Sequence, residues 1–166
     1  MKRLMVAAPS GDRVAALGGV IGIIGALVLV AACALPYAQS TKGFAGANSF
    51  SIFNPRPGHP VVPWLAAEPV AVIVVAITAG VVLVVSTRQI RRAITAGLLI
   101  AFGIQTLFLF VGYAGSFGAN SASSVYQAGI GSIVGMIGGV CLLVGGLVAA
   151  SSKGVRGLPR TPPAAG

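Results

Sequence analysis

Four long apolar stretches constrain the fold of this chain more than any other feature. They cover residues 14–35, 64–85, 93–113 and 128–150. Each is close to the ~20 residues that an α-helix needs to cross a hydrocarbon layer. Because hydrocarbon offers no hydrogen-bond partners, a spanning segment must satisfy its own backbone, as a helix does. The sequence therefore predicts an all-α integral membrane protein with a four-span antiparallel transmembrane helix bundle.

The composition excludes a soluble globule. Hydrophobic residues make up 56% of the 166 residues and charged residues only 8%, too few for a solvated surface. Four spans with short connections use nearly the whole chain, which predicts one transmembrane domain over residues 1–150. Residues 151–166 are rich in glycine, proline and basic residues and are expected to form a disordered cytoplasmic tail.

The basic residues predict the orientation. Nine of the eleven lie on one side of the predicted membrane: Lys2, Arg3, Arg13, Arg88, Arg91, Arg92, Lys153, Arg156 and Arg160. Only Lys42 and Arg56 lie on the other side. The positive-inside rule then places both termini in the cytoplasm of a multi-pass protein. Anionic lipid headgroups account for the net charge of +9, so no nucleic-acid partner is expected.

The first span and the two cysteines raise a question of processing. Residues 14–35 exceed the ~7–15 apolar residues of a secretory signal, which predicts a retained span. Residues 30–33 nevertheless resemble a bacterial lipobox, and lipidation at Cys33 would leave three spans. A depth difference of about 15 Å between Cys33 and Cys141 is too large for a disulfide between them.

Small residues predict which helix faces meet. Glycines recur at spacings of four, three and seven on the first and fourth spans: Gly18, Gly22 and Gly25, and Gly131, Gly135, Gly138 and Gly145. Such spacing keeps them on one helical face, and helices in lipid rely on close backbone approach. We expect these two spans to pack tightly and antiparallel. Alternatively, either face receives a helix from another protein.

Gln105 is the clearest polar residue inside a predicted span. Counting from the helix ends places it near mid-bilayer, level with Gly138 and Gly139, whose carbonyls could accept its amide hydrogens. This is a structural role. The alternative is a polar point in a solute path.

Polar residues on the outer side are few. Glu68, next to Pro69, is expected to interact with free amides at the start of the second span, with cation binding or proton relay as the alternative. Trp64 is typical of an interfacial anchor. His59 has no second ligand at metal-binding spacing, so no metal site is expected.

Two connections complete the layout. The outer loop, residues 37–63, contains several glycines and prolines and is expected to fold over the helix ends, or to dock a partner. The connection 86–92 is short and predicts an antiparallel hairpin of spans two and three.

Enzymatic function is not expected, because the chain lacks a pair of titratable groups, a phosphate loop and an acidic cluster. No cofactor is predicted.

The sequence favours a non-catalytic accessory or stabilising subunit of a larger membrane complex, whose partners are the bilayer and other integral membrane proteins or itself. Substitution of Gly22 or Gly135 by leucine would then abolish the co-purification of a partner protein in mild detergent. The alternative is a small oligomeric channel or transporter for a neutral solute or ion. Abundant Ala, Gly and Val, with more Arg than Lys, are typical of a bacterial genome of high GC content. We therefore expect the protein in a bacterial cell membrane.

Overall fold

Four helices form the described part of the protein. The computed structural model describes residues 10–40, 51, 63–86, 88–118 and 126–152. Its elements are α1 (Ser10–Ala34), β1 (Ala38–Ser40), α2 (Pro63–Val85), α3 (Gln89–Gly118), β2 (Tyr126–Ala128) and α4 (Ile130–Ala150). The four predicted helices are confirmed, with ends that differ from the predicted ones by five residues or fewer. The two short strands were not predicted.

The helices have the length and surface of membrane helices. In the part of the chain that the structure describes, three are long and apolar enough to cross a membrane: Arg13–Ala34, Gln89–Gly112 and Ile130–Ala150. Helix α2 contributes a shorter apolar segment, Pro69–Val85. Large aliphatic side chains such as Leu27, Val74 and Ile137 are more than half exposed, which suits lipid rather than water. The three long apolar helices confirm the prediction of membrane residence.

Consecutive helices run antiparallel and close into a ring. Each helix packs against the next, and α4 returns to α1. Ala32 of α1 lies against Gly131 at one end of the bundle, and Gly18 lies against Ala149 at the other. We call the first end the clip end and the second the hairpin end. The α1–α4 pair has the most extensive contact and the α2–α3 pair the least.

A buried arginine holds the hairpin end together. Helix α3 begins at Gln89, so Arg91 and Arg92 belong to this helix, and the connection is shorter than the predicted 86–92. Arg92 is only 5% exposed, and its Nε donates to the Ser86 carbonyl oxygen at 2.6 Å. This places the guanidinium at the carboxyl end of α2, where the helix dipole favours positive charge. The contact ties the first turns of α3 to the end of α2.

The two strands form a small antiparallel pair at the clip end. Gln39 of β1 lies opposite Gln127 of β2, and each strand has three residues. Strand β1 follows the end of α1, and β2 precedes the start of α4. The pair therefore joins the first and last helices of the bundle through their backbones.

Further hydrogen bonds extend this clip into the helices. The Gly129 N–H donates to the Tyr37 carbonyl at 2.8 Å, and the Gly131 N–H donates to the Pro36 carbonyl at 2.9 Å. The Ser132 hydroxyl also donates to the Tyr37 carbonyl, at 3.3 Å. These contacts satisfy backbone groups that a helix end leaves without partners. Desolvation raises the pKa of the Tyr37 phenol, in keeping with its partly buried position.

Candidate functional site

Four of the glycines singled out by the sequence form a backbone contact between α1 and α4, which we call the glycine seam: Gly18, Gly25, Gly138 and Gly145. A Cβ added to Gly25 would lie 3.0 Å from the Gly138 carbonyl oxygen. One added to Gly145 would lie 2.7 Å from the Gly18 carbonyl oxygen. Because no side chain fits between them, the two backbones gain close van der Waals contact. This face is filled by the chain's own helices and is closed to another protein.

The other three predicted packing glycines have different neighbours. A Cβ on Gly22 would lie 2.9 Å from Leu99 of α3, and one on Gly135 would run into the ring of Phe110. A Cβ on Gly131 would lie 2.7 Å from the Leu35 carbonyl oxygen. These glycines therefore make room for large side chains and for the clip.

Two further glycine contacts were missed in the sequence. Gly19 and Gly80 bring α1 and α2 together, because a Cβ on Gly19 would lie 2.6 Å from the Gly80 carbonyl oxygen. Gly103 and Gly139 do the same for α3 and α4, because a Cβ on Gly103 would lie 3.0 Å from the Gly139 carbonyl oxygen. The usable signal was Gly80 itself, the one glycine among the branched residues of α2.

The structure places Glu68 within a helix. Helix α2 begins at Pro63, so Glu68 and Pro69 lie inside the helix, beyond its first turn. The expected role of the Glu68 carboxylate with the free amides at the helix start stays a prediction. The side chains of Trp64 and Glu68, and the whole of His59, lie outside the described residues.

The described residues show little titratable chemistry in the bundle. Both cysteines are free thiols, with Cys33 buried and Cys141 half-buried. Among the described residues there is no group of three or more His, Cys, Asp and Glu side chains that could hold a metal ion. Apart from Cys33, the buried hydrophobic side chains of the described core are aliphatic and aromatic, and the largest that are fully buried are Phe110, Leu83, Leu99 and Leu142.

A small recess lies where α2 and α3 separate, in their clip-end halves. Its apolar wall includes Leu29, Val72 and Leu109, and its polar groups come from Gln105 and Thr106. The cavity volume is about 10 Å³, enough for about one water molecule. This space is too small to serve as a solute path through a single chain.

The exposed face of α3 differs from the other exposed helix faces. We define it by Gly97, Ala101, Gln105, Phe108 and Gly112, all of which are exposed. Phe108 is 76% exposed, and a Cβ added to Gly97 or Gly112 would meet nothing within 4 Å. This surface combines two open glycines, a polar amide and a protruding ring among exposed aliphatic side chains such as Ile104 and Val111. It is the candidate functional site.

Helix α4 provides the contrast. Its exposed face consists of branched aliphatic residues: Ile130, Ile133, Ile137, Val140, Val144 and Leu147. Helix α2 does expose a polar residue, Thr78, but the Thr78 hydroxyl donates to the Val74 carbonyl of its own helix at 2.8 Å.

No protein-family model matches this chain, and no curated protein shows significant similarity to it. Its function is therefore inferred from the chemistry and geometry of its own residues.

Proposed function

We propose that this chain is a non-catalytic integral membrane protein, an accessory or stabilising subunit of a larger complex in a bacterial cell membrane. In this proposal all four helices cross the bilayer and both termini are cytoplasmic. Arg88, Arg91 and Arg92 at the hairpin end support this orientation, because positive charge accumulates on the cytoplasmic side. Residues 151–166 then form a basic cytoplasmic tail.

The exposed face of α3 is the observation that carries the proposal. Helices associate in lipid through small residues that allow close approach and through polar side chains that bond across the contact. Gly97 and Ala101 supply the first feature, and Gln105 supplies the second. Polar residues within a span usually face other helices, so the exposure of Gln105 on this face supports contact with a neighbouring helix.

The glycine seam bears on how association occurs. Because Gly18, Gly25, Gly138 and Gly145 contact one another inside the bundle, the seam is not available for docking. Leucine at Gly22 or Gly135 would collide with Leu99 or Phe110 and would test folding instead of association. The outer loop 37–63 lies mostly outside the described residues, and its role in docking a partner stays a prediction.

A matched pair of substitutions tests the proposal. Ala101 of α3 and Ala71 of α2 are both exposed alanines within helices. Ala101→Leu adds bulk to the exposed face of α3 and should remove a partner that co-purifies with the intact protein in mild detergent. Ala71→Leu adds the same bulk elsewhere and should leave co-purification unchanged.

Reconstitution of the pure protein supplies the opposing outcome. Solute flux into liposomes that contain only this chain, with loss of that flux in Gln105→Leu, would establish the channel and overturn the accessory role. Loss of partner binding in both alanine variants would also contradict the proposed site, because it would show an effect unrelated to α3.

A further inference from the structure

We propose that the hairpin end binds one anionic phospholipid, whose phosphate lies between the guanidinium groups of Arg88 and Arg91. This inference goes beyond the proposed function, because it needs only that the helices lie in a membrane and does not depend on a partner protein. Three features of the hairpin end support it: its charge, its hydrogen-bonded turn and the aliphatic surface beside that turn.

Positive charge at the hairpin end has little to oppose it. Four arginines lie at this end of the described helices: Arg13, Arg88, Arg91 and Arg92. The whole chain has two acidic residues, Asp12 and Glu68. Glu68 lies early in α2, about 25 Å along the helix from Val85 at the hairpin end. Only Asp12 is therefore placed to offset the four arginines, and an anion is attracted to this end.

The turn between α2 and α3 holds Arg88 and Arg91 in place. The Arg88 N–H donates to the Ser86 hydroxyl at 3.3 Å. Arg92 donates to the Ser86 carbonyl through its Nε, so its guanidinium is engaged within the chain. The side chains of Arg88 and Arg91, in contrast, are exposed. The turn thus presents two guanidinium groups outward from a backbone that hydrogen bonds have already fixed.

The spacing of Arg88 and Arg91 suits a single phosphate. The Arg92 N–H donates to the Arg88 carbonyl at 3.2 Å, which makes Arg88 the N-cap residue of α3. Side chains at the N-cap and three residues later can reach each other, as they do in a capping box. Each guanidinium can donate two parallel hydrogen bonds to phosphate oxygens. A zwitterionic lipid adds a cationic group that the arginines repel, so a lipid of net negative charge is preferred.

An exposed aliphatic stripe continues from Arg91 along α3. Ile94 and Leu98 lie three and seven residues after Arg91 on the same side of the helix, and both are exposed. Val85 and Ile90 expose further aliphatic side chains at the adjoining ends of α2 and α3. A phospholipid has the same order of chemistry, with a charged phosphate above its acyl chains. This surface favours a lipid over free phosphate, which has no apolar part to bury.

Native mass spectrometry of the full chain in mild detergent tests the site. Titration with phosphatidylglycerol or phosphatidylcholine gives the dissociation constant for the first bound lipid. The unaltered chain should bind phosphatidylglycerol more tightly than phosphatidylcholine. Arg88→Gln and Arg91→Gln should each raise the constant for phosphatidylglycerol about fivefold, because a basic residue near the membrane surface contributes about 1 kcal/mol. The double variant should raise it about 30-fold.

Arg13→Gln is the matched control. It removes one exposed arginine from the same end of the bundle, but from α1, and should raise the constant less than twofold. Equal effects of Arg13→Gln and Arg91→Gln would overturn the inference, because they would show a general attraction to surface charge. Equal affinity of the unaltered chain for the two lipids would overturn it as well.

A soluble headgroup separates a lipid from free phosphate. Glycerophosphoglycerol carries the phosphate of phosphatidylglycerol without the acyl chains. At a concentration equal to that of the lipid it should leave phosphatidylglycerol bound, because it cannot use the aliphatic stripe. Displacement of the lipid under these conditions would overturn the assignment of the site to a phospholipid.

Discussion

Gly18 of α1 and Gly145 of α4 lie back to back, each in the space that a side chain of the other would need. A Cβ on Gly18 would lie 2.5 Å from the Gly145 carbonyl oxygen, and one on Gly145 would lie 2.7 Å from the Gly18 carbonyl oxygen. Both obstacles are backbone atoms, so no rotamer change can relieve them. The spacing of α1 and α4 therefore depends on both residues being glycine.

Substitution at this contact should destabilise the bundle. We expect Gly145→Ala to lower the free energy of unfolding by about 1–3 kcal/mol, the range for overpacking a tight contact. Gly97→Ala adds the same methyl group to open space on α3 and should be neutral or stabilising, because alanine favours a helix. Denaturant unfolding of the purified protein in detergent measures both. A similar loss of unfolding free energy in Gly145→Ala and Gly97→Ala would show that α1 and α4 are not in tight contact at Gly145.

Loss of the Arg92 contact should open the hairpin end. Arg92→Gln removes the charged donor to the Ser86 carbonyl, and such bonds contribute about 1.5–3 kcal/mol. Trypsin should then cleave after the exposed Arg88 about tenfold faster in detergent solution, following the local loss of stability. Arg91→Gln changes an exposed side chain and should leave the rate unchanged. Equal rates in the two variants would contradict the role of Arg92.

The clip should protect specific amides from exchange. The N–H groups of Gly129 and Gly131 donate to backbone carbonyls after α1, so both should exchange slowly with solvent deuterium. Gly129→Ala would drive its Cβ into the Pro36 carbonyl and should abolish this protection. Gly115→Ala adds a methyl group to open space and serves as the control. Fast exchange of both amides in the unaltered chain would show that the clip is absent.

Labelling of intact cells tests the proposed orientation. Arg91→Cys lies near the start of α3 and should stay hidden from a membrane-impermeant thiol reagent. Gly118→Cys, at the end of the same helix, should react. Permeabilised cells should expose Arg91→Cys and so prove that its thiol is reactive. Labelling of Arg91→Cys but not Gly118→Cys in intact cells would reverse the topology.

The helices and their order could be predicted from the sequence because their signals are local. Twenty apolar residues require a helix wherever they lie in a bilayer, and short connections force neighbouring helices to run antiparallel. The spacing of Gly18 and Gly25 likewise marks one helical face without any knowledge of the partner. The predicted start of α2 at residue 64 lies one residue from the observed start at Pro63, whereas Pro69, a residue type that often marks a helix boundary, lies inside the helix.

The site and the clip depend on non-local choices. Counting residues gives the depth of Gln105 but not the direction it faces, which follows from how α3 rotates to pack Phe110 on Gly135 and Gly103 on Gly139. Strands of three residues have no measurable period, and β1 pairs with β2 across two intervening helices. Neither feature is encoded in a contiguous stretch of the chain.

The contact between α1 and α4 also sets an order of assembly. Helix α1 is made before the other three described helices, yet its most extensive contact is with α4, which is made after them. A nascent chain can therefore pack α1 beside α2 before the main partner of α1 exists. The ring closes only once α4 has been made, and a ribosome that stalls before α4 leaves a glycine-lined groove open on α1.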